Sequence, residues 1–199
     1  MTTSIAEFIF QENPLRSKTS VFSINDEYIS LNEKSLLVDE ISSMRYGIKA
    51  SRIYHFYSGV QFLIDLKDTN NQEINIRMNS LFFFKKKLFN ELFENIATVI
   101  WEKISPKLIY DRLSLLENDQ SFLIGNCEIK PEGILIDNKH LIGWHECYVQ
   151  KNYDQLVINS KADHTIYTCL PYAQYWDVFI LAELAEQILA PSKIKQKNH

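Results

Sequence analysis

Glycine is scarce in this chain: five residues, at positions 47, 59, 125, 133 and 143, out of 199. None of them belongs to a G-x-G-x-x-G or G-x-x-x-x-G-K-[ST] string, the loops whose bare backbone closes around phosphates, so the common nucleotide-dependent enzymes are disfavoured. Long apolar runs are missing too. The richest window, Leu81 to Trp101, is broken by Lys85, Lys86, Lys87, Asn90, Glu91, Glu94 and Asn95, whereas a membrane-spanning helix needs about 20 predominantly apolar residues. Positive charge is not in excess. With 21 Lys and Arg against 25 Asp and Glu, the formal net charge is -4, which argues against a nucleic-acid partner. The opening residues Met-Thr-Thr-Ser-Ile-Ala-Glu lack the basic and then apolar segments of a secretory signal. Cysteine is limited to Cys127, Cys147 and Cys169. An odd count without such a signal reads as reduced thiols, and the expectation is a soluble cytoplasmic protein.

What the chain has is material for a core, at 46% hydrophobic and 13% aromatic residues, a globular rather than disordered composition. Residues 1–19 read as an N-terminal extension. From Ser20 onward, apolar residues cluster in short strand-like runs: Val21–Ile24, Tyr28–Leu31, Leu36–Ile41, Ile53–Tyr57, Val60–Leu66 and Glu73–Met78. Asn25-Asp26, Asn32-Glu33-Lys34, Ser58-Gly59 and Asp68-Thr69-Asn70-Asn71 punctuate them as turns. At Asn79-Ser80, read as a cap, the period changes. Leu81, Leu88, Phe89, Leu92, Phe93, Ile96, Ile100 and Ile104 then recur at helical spacing. Ser105-Pro106 is expected to interrupt this helix, with a second, shorter one over 107–117.

The second half repeats that order. Strand-like runs fall at Phe122–Ile124, Cys127–Ile129, Ile134–Ile136, Leu141–Val149, Leu156–Ile158 and Thr165–Leu170. A helix over about 172–189 follows, and a basic tail over 191–199 is expected to fray. At an offset of 106, Tyr28-Ile29 meets Ile134-Leu135, Asn32 meets Asn138, Val38 meets Trp144, and Glu40 meets Glu146. Shared order of strands, turns and terminal helix suggests an internal repeat. The pattern predicts an α+β protein: two tandem units over 20–105 and 106–190, each a bent antiparallel sheet or partly open barrel capped by a C-terminal helix.

Three stretches carry a family resemblance: LSLLENDQSFLIGN (113–126), EIKPEGI (128–134) and LIGWHE (141–146), with LLVDEI (36–41) as the first-half counterpart. Together they resemble bacterial pleckstrin-homology-like (PH-like) domain proteins of uncharacterised function, over about residues 20–190. The resemblance implies a tandem PH-like fold and supplies no catalytic residues.

Several groupings could carry chemistry. His145 and Cys147, two apart on an expected strand, would share a face; with Cys127 and Cys169 they suggest either zinc ligands or a nucleophile and its base. No C-x-x-C knuckle and no orienting third group accompany them, so packing is the simpler reading. No metal, cofactor or catalytic residue is assigned. The string Phe82-Phe83-Phe84-Lys85-Lys86-Lys87 is unusual because three lysines near a helix start oppose the helix dipole. It suits an anionic membrane surface or an acidic partner. The expected function is a non-enzymatic scaffold that recognises a protein, a peptide or a second copy of itself through a strand edge or sheet–helix groove. Peripheral association with an anionic membrane is the alternative, and an enzyme without a recognisable motif a further one. The residues expected to make contact are Tyr54, Phe56 and Tyr57 of an aromatic hairpin, with Lys85, Lys86 and Lys87.

Overall fold

The computed structural model describes residues 5–12, 19–53, 55–82 and 84–190. It is an α+β protein, mostly antiparallel sheet with two α-helices among those residues. Strands β1 (Ala6–Gln11), β2 (Thr19–Ile24), β3 (Tyr28–Leu31) and β4 (Lys34–Leu37) pair in that order. A 3-10 turn at Val38–Glu40 redirects the chain into β5 (Ile41–Ile53), β6 (Phe56–Asp68) and β7 (Glu73–Leu81), a second sheet. Helix α1 (Lys86–Glu117) follows. Then the order repeats: β8 (Phe122–Ile124), β9 (Cys127–Lys130), β10 (Gly133–Ile136) and β11 (His140–Gly143); a 3-10 turn at Trp144–Glu146; β12 (Cys147–Lys151), β13 (Gln155–Ser160) and β14 (Tyr167–Pro171); and α2 (Val178–Leu189). None of the four sheets closes on itself among the described residues.

The chain forms two compact units. The first runs to Leu108 and includes Tyr172–Gln174; the second takes Ile109–Pro171 and resumes at Tyr175. The two 3-10 turns stand 106 residues apart, and their surroundings match. Thr69 N–H donates to the Glu40 carbonyl at 3.0 Å in the first unit, and Lys161 N–H donates to the Glu146 carbonyl at 2.8 Å in the second. Asn32 and Asn138, at the tips of the preceding hairpins, both take a left-handed backbone with φ of 55°, a conformation asparagine tolerates better than most residues.

Each unit buries an apolar face of its sheets beneath a helix. In the first, Phe22, Ile24, Ile29, Met44, Phe62, Ile64, Ile74, Ile76 and Met78 are buried, as are Phe93, Ile96, Ile100 and Ile104 of α1. Tyr46 meets Phe93 and Trp101 of α1 at ring centroid distances of 6.3 Å. In the second, Ile129, Ile134, Ile136, Leu156, Ile158 and Leu170 form the core with Ile180, Leu181 and Leu184 of α2.

Local structure departs from the sequence expectations in several places, among them Leu36–Ile41, which the 3-10 turn at Val38–Glu40 divides, and Ile53–Tyr57, which straddles the end of β5 and the start of β6. Residues 6–11, read as part of an extension, are strand β1, which pairs with β2 from Ala6–Ile24 to Gln11–Thr19. Ser58-Gly59 is not a turn but an irregularity inside β6, where the register slips between Ser51 and Arg52; the chain reverses between Ile53 and Phe56 instead. Asn79 and Ser80 do not cap a helix: β7 runs on to Leu81, and α1 begins at Lys86. The interruption expected at Ser105-Pro106 is absent, because α1 passes through Pro106 without ending. Ile96, Ile100, Ile104 and Leu108 recur every four residues across it, all buried. At roughly 1.5–3 kcal/mol each they outweigh the ~3 kcal/mol that an interior proline costs. Finally, Leu141–Val149 is not one strand, since the Trp144–Glu146 turn divides it. Trp144 is pinned there by its indole N–H, which donates to the carbonyls of Lys130 at 3.2 Å and Pro131 at 3.0 Å.

Candidate functional site

The β5–β6 hairpin, 13 residues on each side, reaches beyond the end of β7. Its last pairs are Arg52–Tyr57 and Ile53–Phe56, whereas β7 is spent at Gly59–Leu81. The polypeptide leaving β7 turns back beside that hairpin. Phe82 N–H donates to the Ser58 carbonyl at 2.6 Å, and Phe84 N–H to Leu81 at 2.9 Å. The buried Ser80 hydroxyl donates to the Phe84 carbonyl at 3.0 Å. Gly59, with φ of 147°, makes this approach possible: a Cβ there would stand 1.8 Å from the Ser80 carbonyl oxygen. Two segments that are some 25 residues apart in sequence are thereby fixed at one end of the sheet.

Side chains at that end point outward. Phe56 is 79% exposed, Phe82 73% and Phe84 58%; Tyr57 and Leu88 are exposed as well. Phe82 and Lys85 both adopt left-handed backbone, with φ of 50° and 56°, which is uncommon for bulky residues and costs free energy that the surrounding hydrogen bonds must offset. Lys85, Lys86 and Lys87 are all exposed, with Lys49, Arg52 and His55 on the hairpin. Lys85 Nζ lies 5.8 Å from the Phe84 ring centre and 3.3 Å from Gln11 Oε1. Lys87 stands only loosely by Glu91, at 3.8 Å.

Charge is distributed unevenly. Residues 49–59 and 79–88 hold Lys49, Arg52, Lys85, Lys86 and Lys87 and no carboxylate; without these five, 16 Lys and Arg face 25 Asp and Glu in the remaining chain. An acidic protein thus carries a basic end interleaved with aromatic rings, with Glu12 beside Asn79 and Glu91 beside Lys87 at its border. Of the sequence-predicted contact residues, Phe56, Tyr57, Lys85, Lys86 and Lys87 meet here. Tyr54 lies outside the described residues. Phe82, Phe84 and Leu88 join them, a grouping that only strand register reveals.

Other groupings come apart. His145 sits in the 3-10 turn with its side chain 84% exposed, 3.5 Å from Glu146, whereas Cys147 begins β12 and is fully buried; they do not share a face. Burial pushes the Cys127 thiol up to about 12 and the Cys147 thiol up to about 11, so neither supplies a thiolate nucleophile at neutral pH. No group of three or more His, Cys, Asp or Glu side chains is placed to hold a metal among the described residues. No helix among them is long and apolar enough to cross a membrane. An open groove of about 520 Å³ lies by Leu31, Asn32, Glu33, Lys34 and Asn75, with no converging set of ionisable groups.

One buried polar cluster escaped the sequence reading. Asp65, in the middle of the apolar run of β6, has a fully buried side chain. Arg45 Nη2 and Nε donate to its Oδ2 at 2.6 and 2.9 Å, Arg77 Nη1 stands 2.5 Å from Oδ1, and Asn75 Nδ2 donates to Oδ1 at 2.9 Å. Burial pushes this carboxyl up, but hydrogen bonds from Arg77, Asn75 and Arg45 and the Arg77 charge outweigh it, and its pKa lies below the usual value. Arg45 Nη1 also donates to the Gln174 carbonyl at 2.9 Å, and Gly47 leaves room for Ala173, whose Cβ would be 2.9 Å from a Cβ at 47. The carboxylate is enclosed by donors while the two arginine side chains stay partly exposed, which is the arrangement of a structural clasp. Register alone signals it, because Arg45, Asp65 and Asn75 occupy one row across the sheet.

No family model, no curated protein and no solved structure matches this chain.

Proposed function

We propose that this chain is a non-enzymatic docking module built of two PH-like units, which engages its partner through the aromatic and basic end of the first. The repeated order of four strands, a 3-10 turn, three strands and a helix supports the PH-like reading of both halves. One observation carries the functional reading: Phe56, Phe82 and Phe84, three large apolar rings, stand more than half exposed where Ser58 and Phe82 join the two segments. Leaving such a cluster in water forgoes burial worth about 25 cal/mol per Å², and contiguous exposed apolar surface marks interaction sites. The chemistry elsewhere in the chain is thin by comparison: protonated buried thiols, a carboxylate enclosed by arginines and an open groove.

The test is co-purification of the tagged full-length chain from its native cells, analysing soluble and membrane fractions, beside the variant F56S/F82N/F84S. Asparagine at 82 keeps the left-handed backbone accessible, so the variant is expected to retain its melting temperature and lose its partner. Unchanged recovery in both fractions from a folded variant would sink the reading.

A further inference from the structure

We infer that the partner of this end is an anionic lipid bilayer, with Phe56, Phe82, Phe84 and Leu88 entering the boundary between headgroups and acyl chains and Lys85, Lys86 and Lys87 held among the headgroups. The inference rests on the docking reading above and names its partner.

Charge and shape select a bilayer over a peptide. The end is predominantly basic, five basic residues with no carboxylate in residues 49–59 and 79–88 and only Glu12 and Glu91 at its border, on a chain otherwise rich in acid. That local excess of positive charge favours the approach of this end to a negative surface. A peptide is held by a groove or by free strand edges. Here the apolar groups ride on turn tips, and the backbone beside them is already occupied: Phe82 N–H on Ser58, Phe84 N–H on Leu81, and Ile53 paired with Phe56. The groove of about 520 Å³ is lined by other residues, Leu31 to Lys34 and Asn75. Protruding rings without a cleft suit a fluid apolar phase that shapes itself around them. Aromatic residues are favoured at that depth, and lysine stems are long enough to leave their ammonium groups in water. Hydrogen bonds from Phe82 N–H to Ser58 and from the Ser80 hydroxyl to Phe84 already tie these residues to the sheet before contact, so less order has to be imposed on docking.

The experiment is co-sedimentation of the full-length chain with phosphatidylcholine vesicles made with and without phosphatidylglycerol. Partition is expected only with the anionic lipid, falling as salt is raised. K85A/K86A/K87A should weaken it roughly 100-fold, from the attraction that each basic residue near such a surface contributes. F56S/F82N/F84S should abolish what binding remains at high salt. Absence of partition by the wild-type chain, or an undiminished partition by the lysine variant, overturns the lipid assignment. So does saturable binding of polyglutamate in solution that competes with vesicles and requires the same rings, since the partner is then an acidic polypeptide. In those cases the docking reading stands if the ring variant still loses its cellular partner, and falls if it does not.

Discussion

The two units share their order of elements and differ in how far one hairpin extends. Strands β5 and β6 have 13 residues each; their counterparts β12 and β13 have 5 and 6. The shorter pair stops near the edge of its sheet. The longer pair continues past β7 and carries Phe56 and Tyr57 to where Phe82 and Phe84 emerge. The shared part sets the order of the elements, and the extra length is what brings Phe56 and Tyr57 to the end where Phe82 and Phe84 stand exposed.

The comparison is sharpest row by row. Counting from the matched carbonyls of Glu40 and Glu146, and allowing for the irregularity after Ile41, Arg45–Asp65–Asn75 corresponds to Gln150–Val157–Cys169, and Tyr46 to Lys151. At the first address one unit buries a carboxylate between two arginines and the other places uncharged side chains. At the second, Tyr46 lays its ring against α1, whereas Lys151 reaches Glu183 and Glu186 of α2 at 2.5 and 2.8 Å. The same backbone accepts either solution. Their free energies should differ widely.

The largest effect is expected at Asp65. Asp65→Ala leaves Arg45 and Arg77 without their buried partner and should cost about 3–5 kcal/mol in urea denaturation. The triple change R45M/D65V/R77L, which brings the row closer to its counterpart, should recover most of that loss, and failure to recover it would show that the clasp contributes more than mutual neutralisation. Its pH dependence has a definite sign. Because the folded carboxyl lies below the ordinary 3.8, its contribution is present above that pH and is lost as pH falls through the folded value.

Tyr46→Ala should cost about 2 kcal/mol, less than a fully buried aromatic because the ring is half-buried. Lys151→Ala should cost under about 1 kcal/mol and lose most of that effect in high salt, since its partners are partly exposed. A lysine effect equal to the tyrosine effect would contradict the distinction between the two solutions. Last comes a change without energetic cost. Iodoacetamide at neutral pH should label Cys169, which is exposed, and spare Cys127 and Cys147 until the chain unfolds; labelling of all three at one rate would mean that the second unit opens readily.

How much of this was legible in sequence depends on the range of the interactions involved. Val38 and Trp144 could be aligned because a short motif and its neighbouring hairpin travel together, although both positions read as strand and not as the 3-10 turns they form. Tyr28–Leu31 and Phe122–Ile124 were readable as strands because alternation and flanking turn residues agree. Strand β5 was not: Ser42, Ser43, Arg45, Lys49 and Arg52 look like loop until the row containing Asp65 shows why polar side chains lie there. Pro106 read as a stop because local preference favours one, while the buried series Ile96 to Leu108 acts over the whole helix. For the aromatic and basic end of the first unit, both chemical halves were visible as strings. Their meeting was not, since it depends on the slip at Ser58 and on Gly59 meeting Ser80.

The inclusion of Tyr172–Gln174 in the first unit has a consequence for synthesis. The chain that leaves the ribosome as residues up to Leu108 still lacks the Gln174 carbonyl that Arg45 binds and the Ala173 that covers Gly47. Another 66 residues separate Leu108 from Gln174, which at about 5–20 residues per second is roughly 3–13 s of elongation. During that interval the earlier-made unit waits, its clasp open on one side, for three residues that emerge only after strands β8 to β14 have been made.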